Sequence, residues 1–435
     1  MQKYHKVMII EFSVKNYRSI KDLQTISFRA TGLKSPAGSE TDSNNIVTSN
    51  GVSLLKTVGL YGANASGKSN ILMALSYFAQ ALYSNTSKST LIDKLYDPFL
   101  FESSDEGSFF QIVLLLNGKK YRYGFVLNKV NTASRNGESY SIGIESEWLY
   151  GNVDKKMERL FLRIGNEVKE NNLPTSEGMI IPTKLPYPHT FFLAHAAAFD
   201  SEGIPKQIVE YLNYRIINNI LSKDELRIFS IDAIKKKKIS FLKFLKQFNM
   251  NYDDIDLIDD KIFGDTMHFM PPLSKVYLTR TAPNDDSKKL SMNLEFRESA
   301  GNKKIFELAG ILLDLFNLPN TPFLIVIDEI DSNFHPSLLI KLIGMFNNPK
   351  INRSNSQLLF TSHDTNLMSP SIMRRDQFYF AEKQNDESTR IYSLADLRGI
   401  RNDADFAKQY LAGYYGALPV LNDYMETEDD ENGKQ

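Results

Sequence analysis

The sequence contains no cysteine and only one tryptophan, Trp148, among its 435 residues. Disulfides, thiolate metal sites and cysteine nucleophiles are therefore excluded, and a reducing compartment fits the composition. Neither charge is in excess: 51 Lys+Arg stand against 52 Asp+Glu, a formal net charge of -1. The global basic field that many nucleic-acid binders carry is missing, so charge does not indicate a nucleic-acid partner. No apolar run approaches the roughly 18 residues that span a bilayer; "FLIVI" (Phe323–Ile327) is strand-sized. The opening "MQKYHKVMIIEFSVKNYRSI" alternates and is broken by charges, which predicts a strand rather than a leader. The expectation is a soluble, cytoplasmic protein with no membrane partner. Internal repeats and sustained heptads are also missing, which excludes a solenoid and a long coiled coil.

What is present is α/β patterning. Val7–Asn16 alternates as a strand, and "NYRSIKDLQTISF" continues as a turn and a second strand. The polar stretch Thr31–Asn50 predicts a surface loop, Leu54–Tyr61 a strand, and Lys68–Tyr83 a helix with Ile71, Leu75, Phe78 and Leu82 on one face. Two apolar-aromatic runs around Asn117-Gly118 predict a hairpin, and "SIGIESEWLYG" predicts a further strand. Alternation marks the aromatics of "YRYGFVL" and "SEWLYG" as core rather than a base-stacking platform. Residues 166–284 mix helical segments with loops; Phe241, Phe244, Leu245 and Phe248 are spaced for an amphipathic helix. The last block returns to α/β: helix Lys304–Leu315, strand Phe323–Ile327, helix Pro336–Phe346, strand Gln357–Thr361. The acidic end, "METEDDENGKQ", predicts disorder.

The chemistry starts at "GANASGKS", a complete G-x-x-x-x-G-K-[ST] between a strand and a helix. Gly62 and Gly67 allow a backbone in which successive N–H groups, including those of Asn64, Ala65, Ser66 and Asn70, can face phosphate oxygens. Lys68 would reach the terminal phosphates and Ser69 would offer a hydroxyl to Mg²⁺, with the helix N-terminus adding its positive end. ATP and Mg²⁺ are the cofactors this predicts. A P-loop needs an acidic partner, and "PFLIVIDEIDSNFHP" has one: Asp328, after four apolar residues, for Mg²⁺, and Glu329 to polarise water. His363, after the next apolar strand in "LLFTSHDTNL", is placed to contact a γ-phosphate.

Gly62 and Asp328 lie far apart in the chain, and between them "LEFRESAGNKKIFELAGILLDLF" opens a helix at Ser299-Ala300-Gly301. This order resembles ABC-type ATPases, in which a serine-glycine helix start contacts the γ-phosphate held by the opposite subunit. "DEIDSNFHP" resembles the acidic run of SMC-type chromosome proteins, which implies that Asp331 and Ser332 cross a dimer interface. "FSVKNYRSIKD" resembles their first-strand motif, which implies that Arg18 lies near the nucleotide. With "YRYGFVL", "EWLYG", "ESAGNKK" and "YLAGYYGALP", the chain resembles the AbiL-like and RloA-like ATPases of bacterial anti-phage systems, relatives of OLD-family heads. It departs from them in carrying Asn302 after Gly301, and Gln111 is a weak candidate for a Gln-loop, better read as a strand residue.

The resemblance implies an α/β P-loop NTPase of the ABC-ATPase (SMC-head-like) type, with a mixed sheet, an antiparallel β subdomain and a mostly helical insertion. The expected divisions are 1–165, 166–290, 291–395 and 396–435. It also implies an ATPase acting as a homodimer or higher homo-oligomer, with Glu329, His363 and Lys68 catalytic, that controls a separate nuclease or toxin. The alternative is an SMC- or RecF-like DNA-maintenance head, for which Lys235–Lys238 would be the basic face; the same run also reads as a solvated helix face balanced by "DDIDLIDD". A transporter subunit lacks its Leu-Ser-Gly-Gly-Gln signature here. An intrinsic nuclease lacks room after His363. His189 and His195 lack zinc-site spacing and are expected to be structural.

Overall fold

The computed structural model describes residues 6–82, 90–101, 106–134, 137–153, 156–176, 179–218, 223–258 and 274–419. At its centre is a six-stranded sheet. Ile216–Asn218, Leu324–Ile327, Gln357–Thr361, Thr57–Tyr61 and Phe378–Lys383 run parallel in that order, and Thr389–Ser393 closes the edge antiparallel. The parallel strands are buried on both faces, as crossover connections require. Alternate residues divide between two cores: Val58, Leu60, Val326 and Leu359 face one side, Tyr61, Ile325, Ile327 and Phe360 the other.

The first face carries helix Lys68–Ala81, sandwiched against a seven-stranded antiparallel sheet. That sheet runs Glu167–Asn171, Lys156–Ile164, Gly137–Val153, Lys119–Ser134, Ser108–Leu116, Val7–Lys15, Gln24–Ser27. Phe78 of the helix stacks on Phe125 at 5.1 Å and meets Phe12 edge-on at 5.6 Å. Aromatic contacts of this kind add to the area buried. Asn117 and Gly118 both take positive φ, as a two-residue hairpin turn demands. Tyr121, Tyr123, Phe125 and Leu149 are core, as their alternation predicts. The opposite face of the central sheet packs helices Lys223–Lys246, Ala300–Asn317 and Pro336–Asn347. Among the described residues no helix is long and apolar enough to cross a membrane.

The expected α/β architecture, a P-loop domain with a mixed sheet joined to an antiparallel β subdomain, is the one the chain forms. The differences are local. Thr31–Asn50 is not only loop: it holds the short helix Thr41–Asn45 and strand Ile46–Ser49, which pairs with Val52–Leu55. These pieces are too short and polar to show a period. Leu54–Tyr61 is two strands rather than one, broken at Lys56, whose ammonium turns inward to the carbonyls of Asn44 at 2.7 Å and Asn347 at 3.1 Å. The described residues of 166–290 form three helices, Phe192–Phe199, Ile204–Arg215 and Lys223–Lys246, but also strands that their sequence hid. Glu167–Asn171 extends the antiparallel sheet, Ile216–Asn218 edges the central one, and Asp254–Ile258, Lys275–Ala282 and Asp285–Asn293 form a sheet of their own. Helix Lys223–Lys246 is kinked at Lys237, and the acidic end falls outside the described residues.

Two buried cations brace this frame. Arg163, fully buried, pairs with buried Glu147 at 3.4 Å and donates to the carbonyls of Thr190, of Pro188 at 2.6 Å and of Gly165 at 2.7 Å. Glu147 in turn accepts the Phe192 and Leu193 N–H groups at 2.7 and 2.9 Å, capping helix Phe192–Phe199 from a neighbouring strand. His195 on that helix is buried, with Nε2 3.0 Å from the Pro182 carbonyl, a structural placement as expected.

Lys56 is the second. Burial pushes its ammonium down to about 8. Between that value and the ordinary lysine range, the unfolded chain keeps a proton that the folded chain has released. The contribution of this group to stability therefore rises with pH across that interval. Lys56→Met is expected to flatten the rise, read from urea unfolding at about pH 7.5 and about pH 9.5 in variant and parent. Equal pH slopes in the two proteins would refute it.

Candidate nucleotide site

The parallel strands end together. Ile327 lies opposite Phe360, and Thr361 opposite Leu60, so the turns after Tyr61, Ile327 and Thr361 share one end of the sheet. This is the end at which open α/β sheets bind ligands.

The first turn is the loop Gly62–Gly67. Gly62 and Gly67 take φ of 149° and 92°, and Ala65 takes 60°. A side chain at Gly62 would run into the Ala381 carbonyl at 2.3 Å, and one at Gly67 into Thr389 Oγ1 at 2.0 Å. Only glycine meets both demands. Asn64 and Ala65 are exposed at the rim, Ser69 and Asn70 are half-buried at the helix start, and Ser66 is buried with its hydroxyl unpartnered among the described residues. Lys68 folds back so that Nζ donates to the carbonyls of Gly62 at 2.9 Å and Ala63 at 2.8 Å. Burial holds this ammonium below its ordinary range, against the pull of Asp328, Glu329 and Asp331. A cradle with a buried lysine, an unpartnered hydroxyl and glycine-only geometry fits a polyphosphate.

Asp328 and Glu329 follow strand Leu324–Ile327 and are organised by Thr361, on the strand between them and the P-loop. The Thr361 hydroxyl donates to Asp328 Oδ1 at 2.6 Å and accepts the Glu329 N–H at 2.7 Å. Glu329 is held at φ 48°, a conformation glutamate rarely adopts. Asp331 accepts the His363 N–H through Oδ2 at 3.1 Å, while its Oδ1 is buried without a hydrogen-bond partner among the described residues. Burial and the nearby Lys68 ammonium keep His363 below the usual histidine range, so its imidazole is neutral at neutral pH. Lys68, Asp328, Glu329, Asp331 and His363 thus share one electrostatic neighbourhood, brought together from three separate stretches of sequence.

Ser299 and Gly301 are placed differently. Ser299 caps helix Ala300–Asn317, accepting the Asn302 N–H at 3.2 Å, and is exposed; none of the described hydrogen bonds joins it to the P-loop of its own chain. Gly301 packs on the backbone after Asp331: a Cβ there would sit 2.4 Å from the Asn333 carbonyl. Arg18 directs its guanidinium to Asp97 at 3.1 Å and Met73 at 2.9 Å. The neighbouring Ser19 is the residue of that turn bonded to the loop region, through Thr389 and Asn70, both at 2.7 Å. Gln111 sits within strand Ser108–Leu116.

Sequence reasoning missed several parts of the site. Thr361 was visible only as a polar residue ending an apolar strand. Lys304, one turn into the Ser299 helix, donates to the carbonyls of Glu329 at 2.8 Å, Ile330 at 3.1 Å and Ser332 at 3.3 Å, and to Ser332 Oγ at 2.9 Å. Burial pushes it down to about 8, opposed first by Asp331 and Glu329. The segment Tyr410–Pro419 straps the loop: the Ala417 carbonyl accepts the Ala63 N–H at 3.0 Å, and its own N–H goes to Glu382 at 3.2 Å. With Gly62–Ser66 and His363 it borders an open cleft of about 910 Å³.

A family model described as "AAA domain, putative AbiEii toxin, Type IV TA system" matches residues 58–172 and 193–369. These segments include the P-loop, Ser299–Gly301, the acidic pair and His363. Among solved structures, the chain is similar to the SMC head domain from Thermotoga maritima. The identity is 15%, covering 88% of this chain and 98% of that one, with a TM-score of 0.41. No curated protein matches.

Proposed function

The chain belongs to that AAA-domain family, and on this premise we propose that it hydrolyses ATP as an ABC-type dimeric switch. The observation that carries this reading is the division of the site. A phosphate cradle, two carboxylates and a histidine converge at one sheet end, while the exposed Ser299 at the start of helix Ala300–Asn317 makes none of the described hydrogen bonds to the P-loop of its own chain. In this reading Gly62, Asn64, Ala65, Ser66, Gly67, Lys68, Ser69 and Asn70 hold the phosphates, and Ser69 and Asp328 hold Mg²⁺. Bound there, the cation would neutralise phosphate charge. Glu329 takes a proton from water, and His363 donates to a γ-phosphate oxygen. Ser299, Gly301 and Asp331 act across the dimer.

Movement of the helix start has a route outward. Glu298 accepts from the Tyr252 hydroxyl and from Asn302 Nδ2 at 2.6 Å, and the Arg280 guanidinium lies 4.3 Å from the Tyr252 ring centroid. Closure of the heads would thus reach the sheet Asp254–Asn293, and from there a separate effector. Nucleotide biases that effector by its difference in affinity between the two arrangements. We place the switch in a bacterial anti-phage system acting in the cytoplasm, with a nuclease or toxin as effector; the family's description, which names a toxin and a Type IV TA system, supports the toxin part of this reading. The DNA-maintenance reading is less well supported: of its basic face Lys235–Lys238, Lys236, Lys237 and Lys238 are paired with Asp232, Asp314 and Asp254.

Ser299→Arg tests the composite site. It is expected to bind ATP in each protomer, to lose ATP-dependent dimers on sizing, and to turn over at about a hundredth of the parent rate or less. Hydrolysis at the parent rate would overturn the reading.

A further inference from the structure

We propose that Lys304 is a positioning residue that ties the orientation of Glu329 to the place of the Ser299 helix, so that hydrolysis in one protomer depends on what its helix start touches in the other. This rests on the dimeric reading above and adds to it a specific mechanical link.

One ammonium gathers three carbonyls and a hydroxyl from the run Glu329–Ser332. It also lies 5.0 Å from the Phe334 ring centroid, so the whole turn after the acidic pair is wrapped around it. The run it holds is strained at its first residue, Glu329, with φ of 48°. Such a conformation persists only when its surroundings over-determine it. Two groups do so. Thr361 accepts the Glu329 N–H from the sheet side, and Lys304 takes the Glu329 carbonyl from the helix side. Thr361 belongs to a buried central strand and is fixed. Lys304 belongs to a helix whose cap, Ser299, and first residue, Ala300, are exposed.

The same helix touches the run at a second point, the close approach of Gly301 to the Asn333 carbonyl. With contacts at Gly301 and Lys304, the helix start cannot shift relative to the turn without moving its backbone. The Glu329 carboxylate sits on that backbone. Methionine at 304, one atom shorter and without a donor, would take the ammonium from the Ile330 and Ser332 carbonyls. It would leave the Glu329 carbonyl with the Ser332 N–H alone, loosening the hold on the Glu329 φ without touching the phosphate cradle.

The test compares parent, Lys304→Met and Lys304→Arg as full chains. The readouts are binding of a fluorescent ATP analogue, ATP-dependent dimers on sizing, and kcat, KM and the Hill coefficient for ATP. The parent comes first: if it fails to dimerise with ATP or to hydrolyse it, the dimeric reading fails and this inference falls with it. Given an active parent, Lys304→Met should bind the analogue within about threefold and still dimerise. Its kcat should fall at least about thirtyfold at little-changed KM, with the Hill coefficient moving to 1. Lys304→Arg should recover most of kcat. Parent-like kcat in Lys304→Met overturns the proposal. So does a loss of binding, dimers and kcat in equal proportion, which marks a merely structural lysine. If Lys304→Met melts below the assay temperature, Lys304→Gln, a shorter neutral amide that suits the polar turn but lacks the ammonium, must show a loss confined to kcat, or the proposal fails.

Discussion

Glu329→Gln is expected to bind ATP like the parent, to hydrolyse it at about a hundredth of the rate or less, and to collect as dimers in ATP and Mg²⁺. Positioned general bases contribute about 10²–10⁴-fold, and an amide cannot accept the proton. The substitution keeps the backbone N–H that donates to Thr361 at 2.7 Å and the carbonyl that takes Lys304, so the turn itself should survive. It also removes a negative charge from the neighbourhood of Lys68 and His363. With less repulsion facing a triphosphate, binding should hold or tighten. Single-turnover hydrolysis and sizing of the same sample check both halves. A variant that turns over ATP normally, or that elutes identically with and without nucleotide, would show that Glu329 is not the base.

Arg163→Met should destabilise the protein by about 3–5 kcal/mol, the range for removing one partner of a buried ion pair. The effect has three sources. Glu147 is left fully buried beside the Tyr123 hydroxyl, with burial already holding its carboxyl above the usual range. The carbonyls of Gly165, Pro188 and Thr190 lose their donor together. Helix Phe192–Phe199 is then capped by a carboxylate that has lost its counter-charge. Urea unfolding of parent and variant measures the difference, and a loss under about 1 kcal/mol would mean that the pair is not a keystone of the antiparallel subdomain.

The central sheet was legible because its strands obey a strong rule. "TVGLY", "LIVI" and "QLLFT" are short, apolar and bounded by turns, and all three are buried strands. The site residues on those strand ends were legible for a further reason. Gly62, Gly67 and Lys68 stand at fixed spacing, because a loop that folds around phosphate tolerates few alternatives. Ile216–Asn218 could not be seen, since three residues show no period; they are a strand only because Leu324–Ile327 lies alongside. Lys304 and Thr361 were hidden for another reason: each acts on the backbone of residues distant in sequence, and a carbonyl acceptor leaves no mark on residue type. Ser19 was overshadowed by Arg18, to which the resemblance of the first-strand motif pointed, although its guanidinium turns to Asp97.

The strand that carries the P-loop, Thr57–Tyr61, lies between Gln357–Thr361 and Phe378–Lys383. A ribosome must therefore add residues 62–356 after this strand before either lateral neighbour exists. Until then its backbone edges are bare and its apolar faces incompletely covered, the state in which nascent chains bind chaperones or one another. Synthesis is exposed to that hazard for as long as residues 62–356 are being added, and the turns after Tyr61 and Thr361 can face one another only once that interval is complete.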